Sequence, residues 1–191
     1  MRRHCRVAPG AIALRPIWTL HGTSMTKTSA GIKVALPLLA CLTLPVVAFA
    51  APERIAIFPF ELDDTSLQGS SADDLARVHR LDEQLASALT ATGRYAPVDL
   101  RALAPQIAAQ SLRVCDACAV ALAHQAGAEV EVNGWVQKVS PLILNINLVI
   151  RDAASGRMLH AGSVDIRGDT DESWQRGLAW LLEHRILSAA P

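Results

Sequence analysis

The chain has 191 residues, of which 51% are hydrophobic and 19% charged, and its 18 basic and 18 acidic residues give a formal net charge of zero. All the acidic residues follow Ala50 whereas six basic residues precede it, so residues 51–191 carry 12 basic and 18 acidic side chains, a net charge of −6. This acidic segment lacks the basic stripe that binding to nucleic acid or anionic lipid requires.

The first 50 residues are typical of an export signal. Lys27 and Lys33 precede an apolar run, residues 34–49, which ends at the small-x-small motif Ala48-Phe49-Ala50. A basic segment, a short apolar core and such a motif together predict a secretory signal peptide. The apolar run is shorter than the roughly 20 residues that a transmembrane helix needs.

The cleavage motif predicts the domain organisation. Residues 1–50 comprise an upstream extension and a signal peptide at 25–50, and residues 51–191 form a single periplasmic α/β domain. As an alternative, Leu38-Leu39-Ala40-Cys41 resembles a bacterial lipobox, in which Cys41 carries the lipid. The apolar run continues for eight residues beyond Cys41 to the Ala-x-Ala motif, which favours cleavage after Ala50.

A strand–helix–strand unit is predicted at the start of this domain. Residues 54–60 form a nearly continuous apolar run that is typical of a buried strand, and the polar residues 61–72 are predicted to form a loop. Ser71 and Asp74 match a capping box, and Tyr95–Asp99 is a second, weak strand. Between them, apolar residues at helical spacing predict one amphipathic helix ending at Gly93: Leu75, Val78, Leu81, Leu85, Ala88 and Leu89.

The rest of the domain predicts short helices, three strands and a last helix. Asp116 is predicted to cap a helix over 117–126, and Asp171 to cap the final helix. Between them, residues 129–167 alternate between apolar and polar positions, which predicts an antiparallel three-stranded meander with Leu142, Leu144, Ile146, Leu148 and Ile150 on one face. The order of elements predicts an α/β (α+β) fold, a mixed sheet with helices packed on it.

Several of these segments resemble one protein family. They are Ile55–Leu62, Val136–Ser140, Leu142–Asn147, Asp165–Gly168 and Asp171–Trp174. The family is an uncharacterised group of exported proteobacterial proteins, defined only as a domain of unknown function. The resemblance covers essentially all of the segment after Ala50 and implies no activity.

A more distant resemblance rests on two shorter segments. Phe58-Pro59-Phe60 and Gly127–Val130 look like parts of the amino-terminal domain of the Tol translocation protein TolB, and the CsgG-like α/β fold is similar. This resemblance implies a periplasmic module that binds partners rather than an enzyme.

Cys115 and Cys118 are the only cysteines after Ala50. Because an exported chain enters an oxidising compartment, we predict that they form a structural disulfide. The alternative is a small thiol–disulfide redox protein, since a thiolate at a helix start is stabilised by the amide donors there. One C-x-x-C supplies only two of the four ligands of a structural zinc, so no metal is predicted.

Two polar groups are candidate binding sites. Glu61, Asp63 and Asp64 follow the first strand, where α/β sheets tend to bind ligands, although a solvated loop is the simpler interpretation. Asn145 and Asn147, with Lys138 nearby, are predicted to form a polar strip on the outer face of the meander, where a partner can dock.

No catalytic motif and no cofactor-binding motif is recognisable in the sequence. It contains neither a Gly-x-Ser-x-Gly motif nor a Gly-rich phosphate loop, and the histidines lack metal-ligand spacing. The sequence therefore favours an exported periplasmic, non-catalytic interaction or accessory module over an enzyme. Its expected partner is a protein of the bacterial envelope or another exported protein.

Overall fold

One mixed sheet of six strands organises residues 51–188, which the computed structural model describes; the predicted signal peptide and Cys41 lie outside them. The strand order is β3-β1-β4-β5-β6, and β2 pairs with β4 beyond the end of β1. Strands β1, β2 and β3 run parallel to their neighbours, whereas β4, β5 and β6 form the antiparallel meander, so the predicted mixed sheet is confirmed. The strands are β1 (Glu53–Ile57), β2 (Glu61–Asp64), β3 (Tyr95–Pro97), β4 (Val130–Ser140), β5 (Ile143–Asp152) and β6 (Met158–Ile166).

Helices pack on both sides of the sheet. They are α1 (Ala72–Ala91), α2 (Ala104–Ala108), α3 (Asp116–Gln125) and α4 (Asp171–Leu181), with a 3₁₀ turn at Arg101–Leu103 and a π-helical turn at Leu182–Ile186. Helices α1 and α4 cover one side and build the larger apolar core, while α3 covers part of the other side and builds a smaller one around Phe58. Among the helices of residues 51–188, none is long and apolar enough to cross a membrane.

The alternation predicted for the meander holds within its strands. Leu144, Ile146, Leu148 and Ile150 are buried under α1 and α4. Leu142 is 70% exposed, because it lies in the β4–β5 turn, before the pleat of β5 begins. The prediction was therefore right for the strand and wrong for the turn.

The amino-terminal cap of α1 is as predicted, whereas the loop before it is not. Ser71 and Asp74 form the capping box, and Gly93 adopts the positive φ that ends the helix. Residues 61–64, however, form β2 instead of a loop. The reason is that β4 is longer than β1, so the chain re-enters the sheet and pairs with the part of β4 that β1 leaves free.

The other two predicted caps are wrong. Thr170, not Asp171, caps α4, because its hydroxyl accepts the Ser173 N–H at 3.2 Å. Helix α3 begins at Asp116 after Cys115, whose side chain makes no capping hydrogen bond.

Candidate functional site

An apolar cleft of about 500 Å³ lies at the carboxyl ends of β1 and β3. Its floor follows β1 and its far side is formed by α2 and the residues that flank it. The chain after β1 and β2 leads to α1, which packs in the larger core, whereas the chain after β3 leads to α2 and α3, which pack in the smaller one; such a divergence opens the kind of crevice in which α/β sheets bind ligands. The apolar residues that line it are Ile57, Pro59, Phe60, Leu100, Ala104, Ile107, Ala108 and Leu112.

Glu61 is the acidic residue that lines the cleft, and it is already engaged. The Ser111 hydroxyl donates to Glu61 Oε2 at 2.5 Å, and the Arg113 N–H donates to Oε1 at 2.9 Å. Both carboxylate oxygens therefore hold the residues that precede α3. This arrangement positions the side of the cleft and leaves Glu61 poorly placed as a proton acceptor for a substrate.

Arg101 and Asp82 lie at the margins of the cleft. Arg101 is held by Asp99, with Nη2 and Oδ2 2.6 Å apart, and its side chain is mostly exposed. Asp82 borders a smaller adjoining cleft of about 280 Å³, where burial raises the pKa of its carboxyl to about 6. Its Oδ1 accepts the Phe60 N–H at 2.7 Å, so Asp82 fixes the bend between β1 and β2.

A polar surface, here called the outer face, adjoins the cleft on the side of the sheet opposite α1 and α4. Residues of β2, β4, β5 and β6 stand side by side on it, and Gln137, Ser163 and Asp165 are exposed. Two cross-strand rows form this face: Glu61, Trp135, Asn147 and Ser163 in the first, and Asp63, Gln137, Asn145 and Asp165 in the second. Glu61 belongs both to the first row and to the lining of the cleft, so the two surfaces are continuous.

The outer face brings together residues that the sequence had separated into two candidate groups. Glu61 and Asp63 join Asn145 and Asn147 through the register of β2, β4 and β5. Asn145 is fixed on this face, since its Nδ2 donates to Asp165 at 2.8 Å and its Oδ1 accepts the Ser163 hydroxyl at 3.0 Å.

Lys138 does not belong to this face, contrary to the expectation that it lies with the two asparagines. It points to the opposite side of β4 and is 4% exposed, with Nζ 2.7 Å from both Asp74 and Asp169. Burial opposes the ammonium charge, but the two carboxylates hold the pKa of Lys138 above its ordinary value. The physical reason is the alternation of β4, which places position 138 on the same side as the buried Val136.

Asp64 lies beside Lys138 in the register of β2 and β4, and therefore also faces away from the outer face. Its carboxylate accepts the Ser66 N–H at 2.8 Å and the Ser70 hydroxyl at 3.2 Å. The hydrogen bonds from Ser66 lower the pKa of Asp64. We interpret Asp64 as an acceptor that orders the loop before α1.

Cys115 and Cys118 lie at disulfide distance, with Cα atoms 5.2 Å apart. Asp116 between them pairs with the buried Arg151 at 2.6 Å, and Arg151 pairs with the buried Glu131 at 3.0 Å. Burial raises the pKa of Glu131 to about 7. Sequence reasoning missed this chain of ion pairs, whose only local signal is that Glu131 and Arg151 stand in two largely apolar strands.

Among residues 51–188, no three His, Cys, Asp or Glu side chains converge in a way that suits a metal ion. The arrangement can present an apolar cleft beside a mildly acidic polar sheet surface, which is the chemistry of a binding site.

A family model described as "Protein of unknown function (DUF2380)" matches residues 53–186, which confirms the resemblance to a family without assigned activity. No curated protein matches the chain.

Solved structures also match. The LpoB C-terminal domain from Salmonella enterica is 14% identical, with a TM-score of 0.47 over 63% of this chain and 87% of that one. Lipoprotein GNA1162 from Neisseria meningitidis is 15% identical, with a TM-score of 0.44 over 63% of this chain and 84% of that one. TolB from Acinetobacter baumannii is 13% identical, with a TM-score of 0.33 over 65% of this chain and 25% of that one.

Proposed function

Because the chain belongs to the family described as "Protein of unknown function (DUF2380)", whose description assigns no activity, we propose a function from its site. The chain is an exported, non-catalytic interaction module of the bacterial envelope. It binds a partner protein that inserts an apolar side chain into the cleft and rests on the outer face. The observation that carries this proposal is the continuity of the two surfaces at Glu61.

The combination matches the anatomy of protein interfaces. A few apolar anchors in well-packed pockets supply most of the binding energy of such interfaces, and a polar rim around them excludes water and fixes orientation. The volume of the cleft, about 500 Å³, lies within the range of about 300–1,000 Å³ that is typical of pockets for small-molecule ligands. A cleft of this size has room for an apolar side chain of a partner. The outer face supplies amide and carboxylate groups for the rim.

Charge narrows the choice of partner. Glu61, Asp63 and Asp165 contribute three negative charges around the outer face, and Arg113 contributes one positive charge through its ion pair with Asp63 at 3.4 Å. Complementary potentials favour a neutral or basic partner surface, because like charges brought together at an interface are costly. The expected partner is therefore an envelope or exported protein with an apolar side chain flanked by basic residues.

Site-specific photocrosslinking in intact cells tests the proposal. A photoreactive amino acid at Gln137 on the outer face should capture a partner. The same amino acid at His79, on the solvent-facing side of α1, should not. Ala108 lines the cleft and is exposed, so Ala108→Lys should fill the cleft and suppress capture from Gln137. Ala109→Lys, at the exposed neighbour outside the lining, is the matched control. Equal capture in both lysine variants would contradict the proposal.

Export itself is tested by mass. We expect the exported protein to begin at Ala51, because the Ala-x-Ala motif ends the apolar run. Intact-mass measurement distinguishes this chain from one that begins at a lipidated Cys41, and a diacylglyceryl adduct would overturn the cleavage prediction.

The alternative function, thiol–disulfide exchange, rests on the pair Cys115 and Cys118 at the start of α3, with the exposed Asp116 between them. Residues 111–114 before the pair form a turn, whereas dithiol oxidoreductases place a strand there. Reduction of insulin by the wild type that disappears in Cys115→Ser would favour this alternative over the binding module.

A further inference from the structure

Residues 111–114, here called the wall segment, connect the cleft to α3. Ser111 and Arg113 hold Glu61, and the Arg113 guanidinium also pairs with Asp63. Leu112, which is 3% exposed, lines the cleft on one side and packs into the smaller apolar core on the other. The position of the wall segment therefore sets both the shape of the cleft and the orientation of two outer-face carboxylates.

The wall segment is held mainly by side chains of other elements. It has no regular secondary structure, and its internal hydrogen bond, from the Val114 N–H to the Ser111 carbonyl, is long at 3.4 Å. The Leu112 carbonyl accepts one hydrogen bond from Asn133 at 3.0 Å. Val114 is 69% exposed and contributes little packing. The next firm attachment along the chain is the Cys115–Cys118 pair.

This pair lies where α3 lacks its usual capping group. Cys115 occupies the N-cap position without a side-chain hydrogen bond, although the first amides of a helix need acceptors. The Cys115 carbonyl accepts the N–H groups of Cys118 and Ala119 at 3.0 and 3.2 Å. A bond from Cys115 to Cys118 closes the first turn covalently and so fixes the end of the wall segment.

We propose that the Cys115–Cys118 disulfide is a redox-controlled clamp on the wall segment, and that its reduction loosens the cleft and weakens partner binding. The binding consequence rests on the proposed function, whereas the loosening does not. Both cysteines are half-buried and Asp116 and Ala117 between them are exposed, so a reductant has access from solvent.

The co-reactant is a dithiol. One of its thiolates attacks a sulfur of the Cys115–Cys118 bond and forms a mixed disulfide, and its second thiol then closes the dithiol's own disulfide. Cys115 and Cys118 gain two electrons and two protons and become thiols, while the dithiol loses the same number. The ion pair of Asp116 with Arg151 persists, so the effect is confined to the first turn of α3 and the wall segment.

Amide hydrogen exchange measured by NMR tests the loosening without any partner. The Arg113 N–H, bound to Glu61 in the oxidised protein, should exchange severalfold faster after treatment with dithiothreitol, because the end of the wall segment is then no longer fixed to the first turn of α3. The Ala128 N–H, bound to the Ala123 carbonyl beyond the other end of α3, should be unaffected. A rate for Arg113 that does not change, or a rise at Ala128 of the same size, would overturn the clamp.

Two further measurements complete the test. A variant with both Cys115→Ser and Cys118→Ser should show the fast Arg113 exchange with or without dithiothreitol. Its crosslinking from Gln137 should fall relative to the wild type, and equal yields would overturn the binding consequence. Absence of crosslinks in every form would instead refute the proposed function, and the exchange rates would still decide the clamp.

Discussion

Replacing Lys138 with methionine tests the register of β4 and the buried ion cluster together. The ammonium contacts the carboxylates of Asp74, which is fully buried, and Asp169, whose side chain is 12% exposed. Removing it leaves Arg77 as the remaining cation, 3.2 Å from Asp74 and 3.0 Å from Asp169. Breaking a buried pair by removing one partner costs about 3–5 kcal/mol. Because Arg77 remains and methionine fills most of the space, we expect a loss of about 3 kcal/mol.

The adjacent position provides a matched control. Gln137 is exposed on the outer face, so Gln137→Met should change the free energy of unfolding by no more than about 0.5 kcal/mol. Urea unfolding followed by tryptophan fluorescence measures both variants. A large loss in Gln137→Met with little effect in Lys138→Met would show that β4 presents its faces the other way round.

The pH dependence of the stability lost in Lys138→Met shows whether the loss comes from charge pairing or from packing. Burial opposes the ionisation of Asp74, but Lys138 and the Ser71 donors outweigh it and hold the pKa of that carboxyl well below its ordinary value. Asp74 therefore stabilises the protein above its ordinary pKa of 3.8, and this stabilisation is lost as the pH falls. The difference in the free energy of unfolding between wild type and Lys138→Met should accordingly shrink as the pH falls from about 5 to about 2. A difference that is constant over this range would mean lost packing instead of lost charge pairing.

Four further substitutions test the core and its register, the packing of Phe60 before β2, and the buried carboxyl. Leu144→Ala should cost about 2–5 kcal/mol because it opens a cavity, whereas Asn147→Asp should cost no more than about 0.5 kcal/mol; thermal melts that reverse this order would contradict the register of β5. Gly134→Ala should cost about 1–3 kcal/mol by urea unfolding, since its Cβ would lie 2.5 Å from the Phe60 ring; an unchanged stability would show that the ring moves aside freely. Burial raises the pKa of Glu131 from its ordinary 4.5 to about 7, so stability should fall as the pH rises across that range. Glu131→Gln should make this slope shallower in pH-dependent unfolding and leave the part that Asp82 contributes, because burial raises the pKa of Asp82 to about 6.

Local sequence patterns were sufficient for the elements whose faces differ sharply. The alternation of β5 and the capping box of α1 depend on neighbours within a few residues, and both are present as predicted. Lys138 was misplaced because it was grouped with the two asparagines, although the alternation that also governs β4 places it on the buried side. Its partners Asp74 and Asp169 lie on elements far along the chain, and no local pattern reveals that they meet at one buried point.

The cleft was beyond prediction for the same reason. The sequence indicated the carboxyl end of β1 as a ligand-binding position, but the other side of the cleft comes from α2 and the wall segment. Ser111 lies 50 residues after Glu61, and their contact depends on how α3 packs. The polar stretch that forms β2 was interpreted as a loop, since only the unpaired length of β4 makes it a strand.

The wall segment also makes partner binding and disulfide reduction thermodynamically dependent on each other. If the oxidised protein binds the partner tenfold more tightly than the reduced protein, the bound partner must make the Cys115–Cys118 bond tenfold harder to reduce. A tenfold change corresponds to about 30 mV for a two-electron couple. The reduction potential of the Cys115–Cys118 bond is measured by equilibration with dithiothreitol buffers. The measurement is made without the partner and with a saturating concentration of the partner that crosslinking from Gln137 has identified. Equal reduction potentials with and without the partner would mean that binding at the cleft is not coupled to the disulfide. This conclusion would hold whatever effect reduction has on the exchange of the Arg113 N–H.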